Sequence, residues 1–117
     1  MSTYSQPLYS LILTPFEEWS GTAKRSKDGV ALNLTGASAT LVMLDSQRLE
    51  LVAYSSPSNE VAIDEVANKI LLNIPISFST PQQGAYGHYY LRAILSTGRS
   101  TLMLSGKWKV PFVGEPT

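Results

Sequence analysis

His88 is the only histidine in the chain and stands in the run Gly87-His88-Tyr89-Tyr90. A general base needs an orienting partner and a nucleophile, and no motif around His88 supplies either. Its reading is therefore structural. The acidic pairs Glu17-Glu18 and Asp64-Glu65 are adjacent in sequence. Adjacent residues on a strand point to opposite faces, so neither pair forms the facing carboxylates that glycoside hydrolysis uses. The serine elbow Gly-x-Ser-x-Gly, the phosphate loop and the dinucleotide fingerprint do not occur. The chain has no cysteine, which removes disulfides, thiolate nucleophiles and cysteine-based metal centres. These readings point away from an enzyme and from any metal or cofactor. The basic run Lys24-Arg25-Ser26-Lys27, beside Asp28, reads as a solvated hairpin tip. Among the aromatics, Trp19 and Trp108 are expected in the core. Tyr86, Tyr89 and Tyr90 crowd one segment. Tyr86 is placed to anchor a sandwich corner through its hydroxyl, and such clusters also serve interfaces or sugar stacking.

Composition narrows the partners. Nine basic and nine acidic residues cancel to a formal net charge of zero, and charged residues make up only 15% of 117. A chain this balanced carries no broad footprint for nucleic acid or an anionic membrane. Twenty-four serines and threonines give a largely hydroxyl surface, and a weakly charged surface favours association. The N-terminal segment has no basic residue ahead of an apolar stretch, and the run Leu8–Leu13 is too short to span a bilayer. The absence of disulfides fits an intracellular origin. At 117 residues one domain is expected over residues 1–117, with 1–7 and 111–117 as extended arms.

Short β-type runs broken by Gly, Pro, Ser and Asn predict an all-β fold. The expected strands are Leu8–Leu13, Phe16–Lys24, Ala39–Asp45, Leu49–Ser55, Glu60–Asp64, Lys69–Ser77, Tyr86–Ser96 and Thr101–Val110. Leu102, Leu104, Gly106, Trp108 and Val110 alternate with polar neighbours, as do Ile70, Leu72, Ile74 and Ile76, while Leu49, Leu51 and Ala53 form a third inward set. Pro75 cannot donate to a ladder and marks an edge or the end of pairing. Asp28-Gly29, Thr35-Gly36, Thr80-Pro81 through Gly84, and Thr97-Gly98 mark reversals, and a further turn is expected around Asn68. One register conflict stands in the seventh segment. Tyr86, His88 and Tyr90 share a face, yet Tyr89, Leu91, Ala93 and Leu95 make the better apolar one. Either the strand is covered on both sides or a bulge near Tyr89–Tyr90 switches faces.

A longer pattern runs through these segments. Trp19 and Thr22 precede Asp28-Gly29 and Leu34-Thr35-Gly36-Ala37. Val61-Ala62-Ile63-Asp64 and Ile70–Ile76 follow, then Gly84-x-Tyr86-x-x-x-Tyr90, Gly98-Arg99 and Leu104-Ser105-Gly106-x-Trp108-x-Val110. From about residue 8 to 117 this order resembles the small immunoglobulin-like β-sandwich module of tailed bacteriophages, as in the N-terminal domain of upper baseplate and some tail-fibre attachment proteins. Asn33 stands where that family often has aspartate, and His88 where it tends to have an aromatic. The chain also stops where relatives continue into coiled-coil or receptor-binding parts.

The resemblance implies an immunoglobulin-like antiparallel β-sandwich of about seven or eight strands. It further implies a non-enzymatic virion protein, assembled in the bacterial host cytoplasm, that joins components of the tail, baseplate or fibre attachment region. Its expected partners are other virion proteins and copies of itself, with no nucleic acid, membrane or small-molecule substrate. A capsid decoration role and a carbohydrate-binding sandwich are the alternative readings. Strand addition by an arm onto a neighbour's sheet edge is the assembly mode such a domain suits. The expected contact residues are Ser2, Tyr4 and Pro7 in the first arm, and Pro111, Phe112, Val113 and Thr117 in the second.

Overall fold

Residues that alternate apolar and polar build the longest strands of the structure, a computed structural model that describes residues 10–112, Lys27 by its backbone alone. In chain order the strands are β1 (Leu11–Ile12), β2 (Trp19–Ala23), β3 (Ser26–Lys27), β4 (Val30–Ala31), β5 (Ser38–Asp45), β6 (Glu50–Ser55), β7 (Val61–Asp64), β8 (Lys69–Ile74), β9 (Tyr86–Ile94) and β10 (Ser100–Lys109). A single helical turn, α1 (Ile76–Ser79), and a 3-10 turn at Thr80–Gln82 lie between β8 and β9. Sequence reading carried β8 on to Ser77. Pro75 ends it instead, because it cannot donate to the ladder and its extended backbone, φ −76° and ψ 159°, leads into α1. Ile76 is accordingly turned out to solvent.

Five strands form one sheet in the order β1-β10-β9-β5-β6, and three form a second in the order β2-β8-β7. This is the G-F-C-C′ and B-E-D arrangement of an immunoglobulin-like sandwich, with a first strand added beside G. The hairpins β5–β6, β7–β8 and β9–β10 pair sequential neighbours, as expected, whereas β5–β9 and β2–β8 join segments far apart in the chain. One pair departs from the antiparallel expectation: β1 runs parallel to β10, Leu11 opposite Trp108. A small ribbon, β3–β4, closes on Asp28 and Gly29, with φ of 53° and 79°. Both positive values belong to the two-residue turn that suits right-twisted strands, which is why Asp-Gly stands there.

The core lies between the two sheets. Leu41 and Met43 of β5, Tyr89, Leu91 and Ala93 of β9, and Met103 and Trp108 of β10 meet Val61 of β7 and Ile70, Leu72 and Ile74 of β8. No disulfide crosses it, as the chain has no cysteine, so burial of these side chains is the main stabilising term. Trp108 is fully buried, and its ring meets Phe78 edge-on with centroids 5.2 Å apart. Trp19 is only partly buried against the core, its indole lying over the α-carbon of Gly21.

Side chains of two strands leave their expected faces. In β10 the register shifts between Leu102 and Leu104, so Leu102 pairs with outward Arg92 while Met103 turns into the core. Leu104, Gly106 and Trp108 then follow the alternation expected of them. In β6 a second shift leaves Leu51 outside the ladder. Val52 and Tyr54, opposite inward Met43 and Leu41, face inward, and the expected set Leu49, Leu51 and Ala53 is exposed. In β10 the extra residue of the bulge inverts the period of two, whereas in β6 pairing with β5 sets the faces, with Ala53 opposite outward Val42.

Tyr54 has a measurable consequence. Burial first, and then the neighbouring Glu60 carboxylate, hold its phenol above the ordinary tyrosine value of 10.0. A folded value above the unfolded one keeps the contribution whole below pH 10, and loses it as pH climbs through the raised value. Urea midpoints are expected to fall more steeply in that alkaline range for the native chain than for Tyr54→Phe. Equal slopes would remove this role.

Candidate functional site

The strand with the unresolved register, β9, is central in its sheet and free of bulges. Gly87, Tyr89, Leu91 and Ala93 point into the core, while Tyr86, His88, Tyr90, Arg92 and Ile94 point outward. Of the two sequence alternatives, the bulge near Tyr89–Tyr90 is absent, and the shift sits in the partner strand β10. The outer face is only partly covered. Tyr86 is 65% exposed and does not tuck into a corner as expected. Tyr89 is buried, so it offers no platform for a sugar.

Register assembles the outer face from strands distant in sequence. His88 lies between Leu44 of β5 and Lys107 of β10, Tyr90 between Val42 and Ser105, and Arg92 between Thr40 and Leu102. The Arg92 guanidinium carbon sits 5.5 Å from the centre of the Tyr90 ring, within reach of a cation–π contact. Val42 is buried to 4% exposure yet lies apart from the inter-sheet core. The outer face therefore has a small apolar base of its own. An open groove of about 390 Å³ runs over it, lined by Leu44, Arg48, His88, Tyr90, Ser105 and Lys107 among others.

Arg48 is brought to this groove by a fixed turn. The Asp45 carboxylate accepts from the backbone N–H of Gln47 and of Leu49, at 2.8 and 2.9 Å. The Leu49 N–H side of the turn is held while Arg48 takes a left-handed φ of 66°. What the face offers is binding chemistry: guanidinium and ammonium groups, aromatic rings, and a hydroxyl or two. Across the ladder His88 meets an aliphatic and a lysine, not the carboxylate that would orient a base.

The other sequence candidates have structural duties. Arg25 was read as part of a solvated basic tip, but it is buried, and its Nη1 donates to the Leu102 carbonyl at 2.6 Å. That contact ties the β2–β3 connection to the five-stranded sheet, a non-local pairing invisible in a local charge run. Asp64 Oδ1 accepts from the N–H groups of Val66 and Ala67, and Glu65 Oε1 from that of Gly36. Glu18 Oε2 accepts from Asn73 Nδ2 at 3.4 Å. Asn68, at the expected turn, takes φ 51° and its Oδ1 accepts from the Leu34 N–H. Among the described residues no group of three or more metal-ligating side chains converges, and no helix is long and apolar enough to cross a membrane.

Of the expected contact residues, Ser2, Tyr4, Pro7, Val113 and Thr117 lie outside the described residues. Pro111 and Phe112 are exposed, Phe112 at 76%. Sequence reading missed Arg48, Val42, Leu44 and Arg92 as members of one surface. The outward alternation of β9 carried part of that signal. The lateral neighbours came only from pairing.

The strand order and the buried inter-sheet core define an immunoglobulin-like β-sandwich. Neither a family model nor a curated protein sequence matches the chain. Among similar solved structures is a three-immunoglobulin-domain fragment of titin, a Glu-to-Ala variant, at 14% identity and a TM-score of 0.47. The likeness covers 93% of this chain and 32% of that one, so the chain spans about a third of the titin fragment.

Proposed function

We propose that the chain is a non-catalytic assembly module that joins protein components through the outer face of its five-stranded sheet. The observation that carries this reading is the surface itself. Tyr86 and Ile94 are exposed at the two ends of β9, and between them the Arg92–Tyr90 pair lies over a Val42 buried outside the core; aromatic and arginine side chains on an apolar base are the composition of contact sites. The resemblance of the sequence to phage β-sandwich modules supports a setting in a virion, at the tail, baseplate or fibre attachment region, with capsid decoration as the variant within the same class. Mass spectrometry of gradient-purified virus particles from the strain encoding the chain tests it. The chain is expected among the structural proteins of the particle, and its absence from particles would refute the virion setting.

The C-terminal arm serves as a second contact segment in this reading. Val110 is buried, whereas Pro111 and Phe112 are exposed. Deleting residues 111–117 is therefore expected to change folding stability by no more than about 0.5 kcal/mol, as for surface changes generally, while lowering incorporation into particles. Unchanged incorporation would remove the arm from the interface.

A carbohydrate-binding reading keeps one specific observation in its favour, the exposed Tyr86 ring and the Tyr90 edge of the groove. Binding on a glycan array that is lost in Tyr86→Ala and Tyr90→Ala would support it over protein docking.

A further inference from the structure

Positive φ is ordinarily left to glycine or asparagine, yet the turn between β5 and β6 sets Arg48 at φ 66°. Its backbone is fixed there. The Arg48 N–H donates to the Asp45 carbonyl at 3.0 Å, and the Asp45 N–H to the Leu49 carbonyl at 2.8 Å. Asn68 also takes a positive φ, and its side chain accepts from the Leu34 N–H in return. Among the described residues the Arg48 side chain makes no such bond, and it lines the open groove of about 390 Å³ instead. A side chain kept at a strained position without a structural duty points to function. The groove crosses three strands, since Lys107 of β10 is opposite His88 of β9, and His88 opposite Leu44 of β5. Lys107 and Arg48 therefore stand at its two ends, with Tyr90 between them and the hydroxyls of Ser10 and Ser105 on the Lys107 side. The Arg92 guanidinium lies over the Tyr90 ring at 5.5 Å from a hollow outside the groove, so the other side of the ring borders the groove. Two acids lie near. Asp45 lines a different hollow with Gln82 and Trp108, and Glu50, opposite Leu44, stands beside the groove without lining it.

We propose that this groove binds an acidic sugar, a saccharide ring bearing a carboxylate or a phosphate. Arg48 takes the anionic group, because a guanidinium pairs two oxygens of either group at once, and Lys107 adds a second charge. Tyr90 stacks on the ring, and Ser10 and Ser105 bond its hydroxyls. The volume lies within the range of small-molecule sites. An acidic peptide would meet the two cations as well, but an aromatic wall and a pair of hydroxyls between cations match a hydroxyl-bearing ring. The inference deepens the carbohydrate-binding reading of this face and fails separately from it. Binding of uncharged sugars alone would keep that reading and remove the acidic ligand.

Titration of the full chain, followed by amide NMR shifts, decides it. The probes are glucuronate, glucose 6-phosphate, uncharged glucose, inorganic phosphate and a hexaglutamate peptide. At least one of the two acidic sugars is expected to bind about tenfold or more tighter than glucose, with shifts centred on Arg48, Tyr90 and Lys107. Which of the two binds tells carboxylate from phosphate. Arg48→Gly is expected to weaken that binding about tenfold or more. Its urea midpoint should stay the same or rise, because glycine accepts the left-handed backbone without strain, so lost folding cannot explain lost binding. Tyr90→Ala should weaken the acidic sugar while leaving inorganic phosphate as it was. Four results would each overturn the proposal: no binding of either acidic sugar, native affinity in Arg48→Gly, inorganic phosphate binding as tightly as the acidic sugars, or hexaglutamate binding more tightly than they do.

Discussion

Replacing Trp108 with alanine is expected to remove about 4 kcal/mol of folding stability, in the range measured when large aromatics are cut out of cores. The indole is 1% exposed and meets Phe78 edge-on at 5.2 Å. Its Nε1 also donates to the Leu44 carbonyl at 2.8 Å, across the end of β9. Two losses therefore add, a cavity between the sheets and an orphaned carbonyl. Trp108→Phe separates them. It keeps most of the ring and loses the hydrogen bond, for about 1–2 kcal/mol. Urea unfolding of the three proteins gives both differences. A Trp108→Ala cost below about 1 kcal/mol would mean that the sandwich closes without this residue.

Gly87→Ala is expected to cost about 3 kcal/mol, large for one methyl group. Gly87 faces inward on β9 between the Leu44 carbonyl and the Trp108 indole, and a Cβ there would run into the carbonyl oxygen and lie 2.8 Å from Nε1. Neither is the free end of a flexible side chain, so the β5–β9 ladder or the indole must shift. A control separates this from any general intolerance of alanine. Gly98 has a left-handed φ of 87° but nothing within 4 Å of a Cβ, so Gly98→Ala carries only conformational strain, about 1–2 kcal/mol. The two clasp residues are coupled. In a Trp108→Ala background the Gly87→Ala penalty should shrink, and additive costs would show that the alanine clashes with backbone alone.

Much of this clasp was legible in the chain, and the reason is local. Trp108 sits on an alternating strand beside Gly106 and Val110, so a period of two predicts its inward direction without any partner. Asp28-Gly29 declares its turn because few residue pairs adopt two positive φ values cheaply. Pro75 warned of an edge or of the end of pairing through its missing N–H, yet the strand was carried on to Ser77 because Ile76 continues the alternation of Ile70, Leu72 and Ile74. Most of what failed to be read was a matter of partners. The lysine and arginine run at 24–27 looks solvated until Arg25 finds the Leu102 carbonyl, 77 residues away. The inward set of β6 was misread by one position because its faces are set by pairing with β5, which puts Tyr54 opposite inward Leu41 and Ala53 opposite outward Val42.

The candidate surface divides the same way. By itself the sequence determined that Tyr86, His88 and Tyr90 share a face and that Lys107 and Lys109 share another. Each of these follows from spacing along one strand. Only the tertiary structure decided that the two faces are one surface and that Arg48 and Leu44 complete it. Those facts depend on the register of β5 and β10 against β9. Such pairing is set by the burial of the whole core and not by neighbours in the chain.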